Sequence, residues 1–269
     1  MFYNAKNKVV ELEDCTINYI TFGKGSRNLL FIPGVGDGLK TVKGLAIPFS
    51  LMYKLFAKEF KVYVFSRRNN LHDGFSTLDM AHDIARCMDA LYIAKASIVG
   101  VSQGGMIAQH LAIKYPNKID KLVLAITSSR PNDLMTESVD TWLNLLNKDD
   151  FKNMMIDNTR RSYVGKHLNR MLFVVKNFSF LMKPKSYERF IIQCKSCLMH
   201  NTYDELDKIA NQTLVIGAGL DEILGVDASY EIHDRIKKSQ IHIFEEYSHG
   251  VYDQTNSFNK TIYEFLIKK

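Results

Sequence analysis

The sequence has little cysteine, little proline and no long apolar run. Four cysteines and five prolines among 269 residues are too few for a disulfide-stapled or a collagen-like chain, and so few cysteines suit a reducing compartment. No segment approaches the roughly 20 apolar residues of a membrane-spanning helix, and the N-terminus lacks the apolar stretch of a signal peptide. We therefore expect a cytoplasmic protein that does not insert into a membrane.

Charge of either sign is spread along the chain. The 35 Lys plus Arg and 29 Asp plus Glu give a net charge of +6, and no basic tract resembles a nucleic-acid-binding arm. A nucleic-acid partner is therefore not expected. The content of 46% hydrophobic and 24% charged residues is that of a folded globular protein.

Short β-rich runs alternate with helical patterns, which is typical of an α/β fold with a mostly parallel central sheet flanked by helices. The predicted strands are 15–22, at an edge of the sheet, then 29–32, 61–65, 96–99, 121–126, 212–217 and 241–244. The predicted helices are 51–60, 77–92, 103–115, 228–238 and 258–267.

The alternation breaks between about residues 130 and 210, where helical stretches carry large, flexible apolar side chains. The sequence thus predicts a core of residues 1–129 and 211–269, interrupted by a helical cap, or lid, of residues 130–210. We expect most of the large side chains to form the core of this cap and some to line an apolar binding cavity. They are Met135, Trp142, Met154, Met155, Met171, Phe173, Phe178, Phe180, Met182, Phe190 and Met199.

The pair Cys194 and Cys197 has the C-x-x-C spacing of redox and zinc motifs. It lies within a predicted helical stretch, and no second pair of ligands accompanies it. We expect these side chains to pack as ordinary helix residues, and we expect neither a metal nor another cofactor.

The strongest local motif is Gly100-Val101-Ser102-Gln103-Gly104, between a predicted strand and a predicted helix. This context is that of the nucleophile elbow, in which a serine occupies a strained turn and glycines two residues away leave room for it. The turn also places Ser102 at a helix N-terminus, where free N–H groups favour a developing oxyanion. We therefore predict that Ser102 is a nucleophile.

A serine nucleophile needs a histidine base that is oriented by a carboxylate. In this type of fold both follow the serine, in the order Asp then His, on loops after later strands. Asp221 and His249 fit this order best, with Glu222 as the competing acid. His72 follows an earlier strand and is either a substrate contact or, as we expect, an ordinary loop residue.

The oxyanion of a tetrahedral intermediate needs two N–H donors. One is predicted to be the N–H of Gln103, which follows the nucleophile, and the other that of Val35, in a glycine-rich turn after an early strand. This turn has no phosphate-loop or dinucleotide-binding pattern.

Taken together, these motifs resemble the α/β-hydrolase fold family, and in particular small lidded serine hydrolases such as carboxylesterases, enol-lactonases and carbon–carbon bond hydrolases. The matching segments, which occur in the same order along the chain, are Phe31-Ile32-Pro33-Gly34, Met80-Ala81-His82-Asp83, 99–106, Tyr115-Pro116, Asp221 and His249-Gly250. The resemblance implies a triad of Ser102, His249 and Asp221, an oxyanion hole from Val35 and Gln103, and a lid from the inserted segment. Many relatives have His-Gly in place of Pro33-Gly34, which puts the geometry of the oxyanion loop in question.

The sequence thus predicts a serine hydrolase that acts on a small ester-like substrate with an apolar portion, through an acyl-enzyme. Lactone opening, thioester cleavage and carbon–carbon bond hydrolysis use the same triad and remain alternatives. A ligand-binding or signalling protein on a hydrolase scaffold is the alternative from a different class.

Overall fold

The computed structural model describes residues 3–268, which form an eight-stranded sheet covered by helices. The strands are β1 (Lys6–Glu11), β2 (Thr16–Phe22), β3 (Arg27–Ile32), β4 (Phe60–Arg68), β5 (Ala96–Val101), β6 (Ile119–Ala125), β7 (Gln212–Ala218) and β8 (Ser239–Phe244). Their order in the sheet is β1-β2-β4-β3-β5-β6-β7-β8. Only the pairings of β2 with β1 and with β4 are antiparallel, so the predicted α/β class with a mostly parallel sheet is confirmed.

Within residues 3–268, ten α-helices connect or follow these strands. They are α1 (Ala46–Met52), α2 (Thr77–Ala90), α3 (Gln103–Lys114), α4 (Asp133–Asn147), α5 (Phe151–Ser162), α6 (Gly165–Phe178), α7 (Glu188–Leu198), α8 (Asp227–Arg235), α9 (Val251–Gln254) and α10 (Asn256–Ile267). None of the helices within residues 3–268 is long and apolar enough to cross a membrane.

The central strands are buried on both faces because helices pack against each side of the sheet. One apolar cluster lies between the sheet and helices α2 and α3, with Ile84, Ile107 and Leu111 at its centre. A second cluster lies on the other face, against the short helices after β3 and against α10. Because β3 to β8 run parallel, their carboxyl ends lie at the same edge of the sheet. The loops that carry the predicted site residues emerge at this edge.

Two sequence predictions about the fold are wrong. The segment 15–22 was expected at an edge, but β1 pairs with β2 and takes the outer position. This strand is missing from the predictions because only Val10 of its six residues is buried, so that it carries almost no apolar pattern. The helix expected over 51–60 ends at Met52, and a short 3₁₀ turn, Lys54–Phe56, leads into β4.

Between β6 and β7 the chain forms helices α4 to α7, joined by short turns, and the structure has no strand there. Helices α4, α5 and α7 pack around an apolar cluster that includes Trp142, Met154 and Phe190. Met106 from the core and Ile223 and Leu224 from the loop after β7 belong to the same cluster. These helices therefore cover the edge of the sheet where the parallel strands end.

Candidate active site

Ser102 lies in the turn between β5 and α3 with φ of 55° and ψ of −122°. A residue with a Cβ atom rarely adopts a positive φ, and such backbone strain persists only where the surroundings enforce it. The Ser102 N–H donates to the Ala125 carbonyl on the neighbouring strand at 2.9 Å, and the Thr127 hydroxyl donates to the Ser102 carbonyl. The sharp turn directs the serine side chain away from the sheet.

The glycines of the motif are required by close backbone contacts. A Cβ atom on Gly104 would lie 1.8 Å from the Ile32 carbonyl oxygen, and one on Gly100 would lie 2.4 Å from the Gly104 carbonyl oxygen. Neither contact is sterically possible, because both involve backbone atoms that cannot rotate away. The first turn of helix α3 can therefore pack this closely against the end of β3 only if residue 104 is a glycine.

The structure brings the predicted acid, base and nucleophile together. His249 Nδ1 lies 2.8 Å from Asp221 Oδ2, and His249 Nε2 lies 3.0 Å from Ser102 Oγ. Because a carboxylate only accepts hydrogen bonds, Nδ1 carries the proton and Nε2 is free to accept the serine hydroxyl hydrogen. Asp221 and His249 are each about 7% exposed, so the hydrogen bond between them is shielded from water.

The Asp221 carboxylate is held in its ionised form. Its Oδ1 accepts the N–H groups of Ile223 at 2.8 Å and Leu224 at 3.0 Å. Burial by itself would raise the pKa of Asp221, but the interaction with His249 and the two N–H donors lower it on balance. An anion at this position is suited to orient the His249 ring and to stabilise it when it gains a proton.

The competing residues lie elsewhere. Glu222 is adjacent to Asp221 but is exposed. His72 is exposed as well; its ring contacts Phe75, and it does not line the cavity next to Ser102.

The glycine-rich turn after β3 runs beside Ser102. A Cβ atom on Gly34 would lie 3.6 Å from Ser102 Oγ, and a 3₁₀ turn, Val35–Gly38, begins at the next residue. Within residues 3–268, the N–H groups of Val35 and Gln103 donate to no other backbone group. Both predicted oxyanion donors are therefore available in the structure.

A buried arginine that the sequence analysis did not assign to the site connects the two donor segments. Arg67, near the end of β4, donates from Nη2 to the Pro33 carbonyl and to the Gln103 side-chain oxygen, the latter at 2.9 Å. It thereby ties the loop that precedes Val35 to the first residue of α3. Arg67 is 2% exposed, and burial lowers its pKa to about 10, so the guanidinium stays charged at neutral pH.

Asp37 connects this part of the core with the cap. Its Oδ2 accepts the backbone N–H of Arg67 at 3.0 Å and forms an ion pair with Nη2 of Arg189 on α7 at 3.2 Å. The Gln103 side-chain amide donates to the Gln193 carbonyl of the same helix at 2.8 Å. Helix α7 is thus hydrogen-bonded to both segments that carry the predicted oxyanion donors.

A cavity of about 370 Å³ opens next to Ser102 and His249. Its lining is largely apolar, and the cap supplies much of it. Exposed Lys40 is the one cationic side chain among the lining residues in the described part of the chain. The cap residues that line the cavity are Met135, Val139, Trp142, Met154, Met155, Asn158, Ser162, Phe190 and Cys197.

The large apolar side chains of the cap divide into two groups. Five of the eleven singled out in the sequence line the cavity, namely Met135, Trp142, Met154, Met155 and Phe190. Another five are exposed, namely Phe173, Phe178, Phe180, Met182 and Met199, which neither sequence interpretation anticipated.

Cys194 and Cys197 are buried thiols on α7, and burial raises the pKa of both. Among residues 3–268, no cluster of three or more His, Cys, Asp or Glu side chains is suited to hold a metal ion.

Comparison with known proteins gives a consistent picture. The sequence profile of the family described as alpha/beta hydrolase fold matches residues 27–255. A Caulobacter segnis protein provisionally named carbamate hydrolase RutD is 26% identical over 202 residues, which is 72% of each chain. The 3-oxoadipate enol-lactonase 2 of Acinetobacter baylyi is 21% identical over 265 residues, 96% of this chain and 95% of the relative.

Among solved structures, the alpha/beta hydrolase MGS-M2 from a Medee basin deep-sea metagenome superimposes with a TM-score of 0.86. The match covers 97% of this chain and 98% of the other, with 16% sequence identity. At this identity, the likeness establishes the fold and leaves the chemistry to the residues of the site.

Replacement of Gly104 by alanine is expected to destabilise the protein, although alanine normally favours a helix over glycine. The added Cβ would meet the Ile32 carbonyl, and we expect the free energy of unfolding in urea to fall by about 3 kcal/mol. The control is Gly36→Ala, because a Cβ there has nothing within 4 Å and should change stability by less than about 1 kcal/mol. Equal stabilities of the two variants would contradict the contact.

Proposed function

Because this chain belongs to the α/β-hydrolase fold family, and its relatives include hydrolases, we propose that it is a serine hydrolase that cleaves a carboxylic ester through an acyl-enzyme. The observation that supports this proposal most directly is the pair of hydrogen bonds made by His249, one to Asp221 and one to Ser102. This arrangement is the one that removes a proton from a serine hydroxyl during acyl transfer.

In the proposed reaction, Ser102 Oγ attacks the ester carbonyl while His249 Nε2 takes its proton. The resulting imidazolium gives this proton to the departing alcohol, which leaves the acyl group on Ser102. Water then attacks the acyl-enzyme with His249 again as the base, and the acid product leaves as Ser102 regains its proton. Asp221 keeps the imidazole in the required tautomer throughout.

The negative charge of each tetrahedral intermediate is proposed to be stabilised by the N–H groups of Val35 and Gln103. Pro33 replaces the histidine of many relatives and offers neither an N–H nor a polar side chain. Arg67 supports the same loop from outside, because it binds the Pro33 carbonyl and the Gln103 side chain together. We therefore assign Arg67 the role of a positioning residue for the oxyanion hole.

The cavity favours a substrate with an uncharged, apolar acyl portion. Methionine and aromatic side chains of the cap face Ser102, and such a lining stabilises alkyl or aryl groups by removing them from water. Among the lining residues within 3–268, exposed Lys40 is the one Lys or Arg that a carboxylate buried there could pair with. The same triad could also hydrolyse a lactone, a thioester, a carbamate or a carbon–carbon bond in an apolar substrate. These reactions remain alternatives to ester cleavage.

The triad is tested by comparing neighbouring carboxylates. We expect Asp221→Asn to lower kcat for p-nitrophenyl butyrate by about 10⁴-fold, because the histidine loses its required tautomer. Glu222→Gln, next along the chain but exposed, should leave kcat unchanged within about twofold. Ser102→Ala should abolish both turnover and labelling by a fluorophosphonate probe.

Two outcomes would contradict the proposal. Hydrolysis retained by the Ser102→Ala protein would remove the serine from the mechanism. A wild-type protein that is acylated once and then fails to turn over would favour the alternative of a ligand-binding or signalling protein on this scaffold.

Arg67→Met is expected to lower kcat by roughly tenfold to a hundredfold with little change in KM, since misplaced oxyanion donors weaken binding of the transition state more than of the ester. Binding of an alkyl boronic acid, which forms a tetrahedral adduct on serine, should weaken in parallel. Arg27→Met is the control, because that arginine binds the Leu266 carbonyl at the opposite edge of the sheet. A rise in KM alone would argue against a positioning role.

The preference for an uncharged acyl group is tested with two esters of equal chain length. We expect kcat/KM for p-nitrophenyl hexanoate to exceed that for the p-nitrophenyl half-ester of adipic acid by at least about tenfold, because the half-ester buries an unpaired carboxylate. Met155→Lys adds a cation to the cavity lining and should lower the ratio of the two kcat/KM values. An equal or faster rate for the half-ester would refute the preference.

A further inference from the structure

The outer side of the cap carries a cluster of exposed apolar side chains at the end of α6 and in the 3₁₀ turn that follows. We call it the cap patch and define it as Phe173, Phe178, Phe180, Leu181 and Met182. Phe180 and Leu181 are 69% and 72% exposed. The ring centroids of Phe173 and Phe178 are 6.5 Å apart. Contiguous exposed apolar surface of this kind marks an interaction site.

The cap patch does not belong to the interior of the cap. Helix α6 packs on α5 through its inward face, where Val175 and, just beyond the helix, Ser179 are buried. Of the cap helices, α4, α5 and α7 contribute to the lining of the cavity beside Ser102, and no residue of α6 does. The patch is therefore available to a partner outside this chain without any rearrangement of the cap.

The charge around the cap patch indicates the chemistry of that partner. Residues 165–187 contain five cations, namely Lys166, Arg170, Lys176, Lys183 and Lys185, and no Asp or Glu. Asp149, in the turn between α4 and α5, pairs with Lys183 at 2.8 Å. In the described part of the chain, the other four cations form no ion pair with an acidic side chain. The patch is thus an apolar surface bordered by unneutralised positive charge.

We propose that the cap patch docks the protein peripherally on an anionic lipid surface. Exposed Phe and Leu side chains bordered by Lys and Arg are the combination by which helices bind in the plane of a membrane interface. The apolar side chains enter the boundary between headgroups and acyl chains, while the cations remain beside the anionic headgroups. No segment spans the bilayer in this arrangement, and the docking is reversible.

Docking in this way would also bring the cavity close to lipid. Helix α5 contributes Met154 and Met155 to the cavity wall and packs directly against α6. Apolar esters partition into membranes, so a docked cap would place the cavity one helix away from its most concentrated substrate. The docking itself requires no catalysis, and its test does not depend on the proposed function.

The experiment is co-sedimentation of the full chain with vesicles of phosphatidylcholine alone or with about 30% phosphatidylserine. We expect the anionic vesicles to bind at least about tenfold more protein per lipid, and 0.5 M salt to remove most of this difference. Phe180→Ser/Leu181→Ser should weaken binding by about tenfold or more. Arg170→Glu/Lys176→Glu should remove the preference for phosphatidylserine.

Matched controls lie at the opposite edge of the sheet. The first control is Tyr92→Ser, at a residue that is 95% exposed and lies just before β5. The second is Lys237→Glu/Lys238→Glu, which changes the net charge as much as Arg170→Glu/Lys176→Glu does. Both controls should bind anionic vesicles within about twofold of the wild type. Ser102→Ala should bind as the wild type does, so that a failed hydrolase assignment leaves the result intact.

The proposal is overturned if the wild-type chain binds anionic vesicles no better than phosphatidylcholine vesicles. It is equally overturned if the cap variants bind anionic vesicles as well as the control variants do. It is also overturned if light scattering shows a dimer in the absence of lipid that Phe180→Ser/Leu181→Ser dissociates, because a second copy of the chain would then cover the patch.

Discussion

The site depends on one steric constraint, the contact between the start of α3 and the end of β3. A side chain at position 104 would overlap the Ile32 carbonyl, so the glycine lets the helix lie against the neighbouring strand. This contact holds Ser102 at a positive φ and puts it beside Gly34, the residue before the predicted donor Val35. Ser102 and the loop of the predicted donor Val35 are thus positioned by the same backbone packing, because neither segment can move without the other.

Polar interactions extend this constraint from the core to the cap. Arg67 joins the two predicted donor segments, and Asp37 accepts the backbone N–H of Arg67 while forming an ion pair with Arg189 on α7. Asp37 is buried, and a buried charge that loses its ion-pair partner is strongly destabilising. The ion pair therefore favours one position of α7 over the site, and it couples the loop of the predicted donor Val35 to the position of the cap.

Much of the fold and the predicted triad could be read from the sequence, because these features have local signals. The buried strands are short apolar runs, and the elbow has two glycines. Asp221 and His249 were selected by their order along the chain and by their position in loops after predicted strands, and the structure places them within hydrogen-bonding distance. Arg67 could not be assigned, since its partners lie 34 and 36 residues away and no spacing rule connects them. Strand β1 went unnoticed because pairing with β2, and not burial, holds it in place.

The cap shows most clearly where a sequence pattern stops being informative. An apolar residue on a helix has the same helical spacing whether its face meets the core, a cavity or solvent, so periodicity could not separate Met154 from Phe180. The structure separates them: Met154 lines the cavity, and Phe180 is 69% exposed, within a segment, residues 165–187, that has five cations and no Asp or Glu. Burial explains the first residue completely. The second carries an energetic cost in water, and an apolar partner that tolerates positive charge nearby would remove this cost. The two faces of the cap are thus suited to different apolar environments, a substrate on the inside and a lipid interface on the outside.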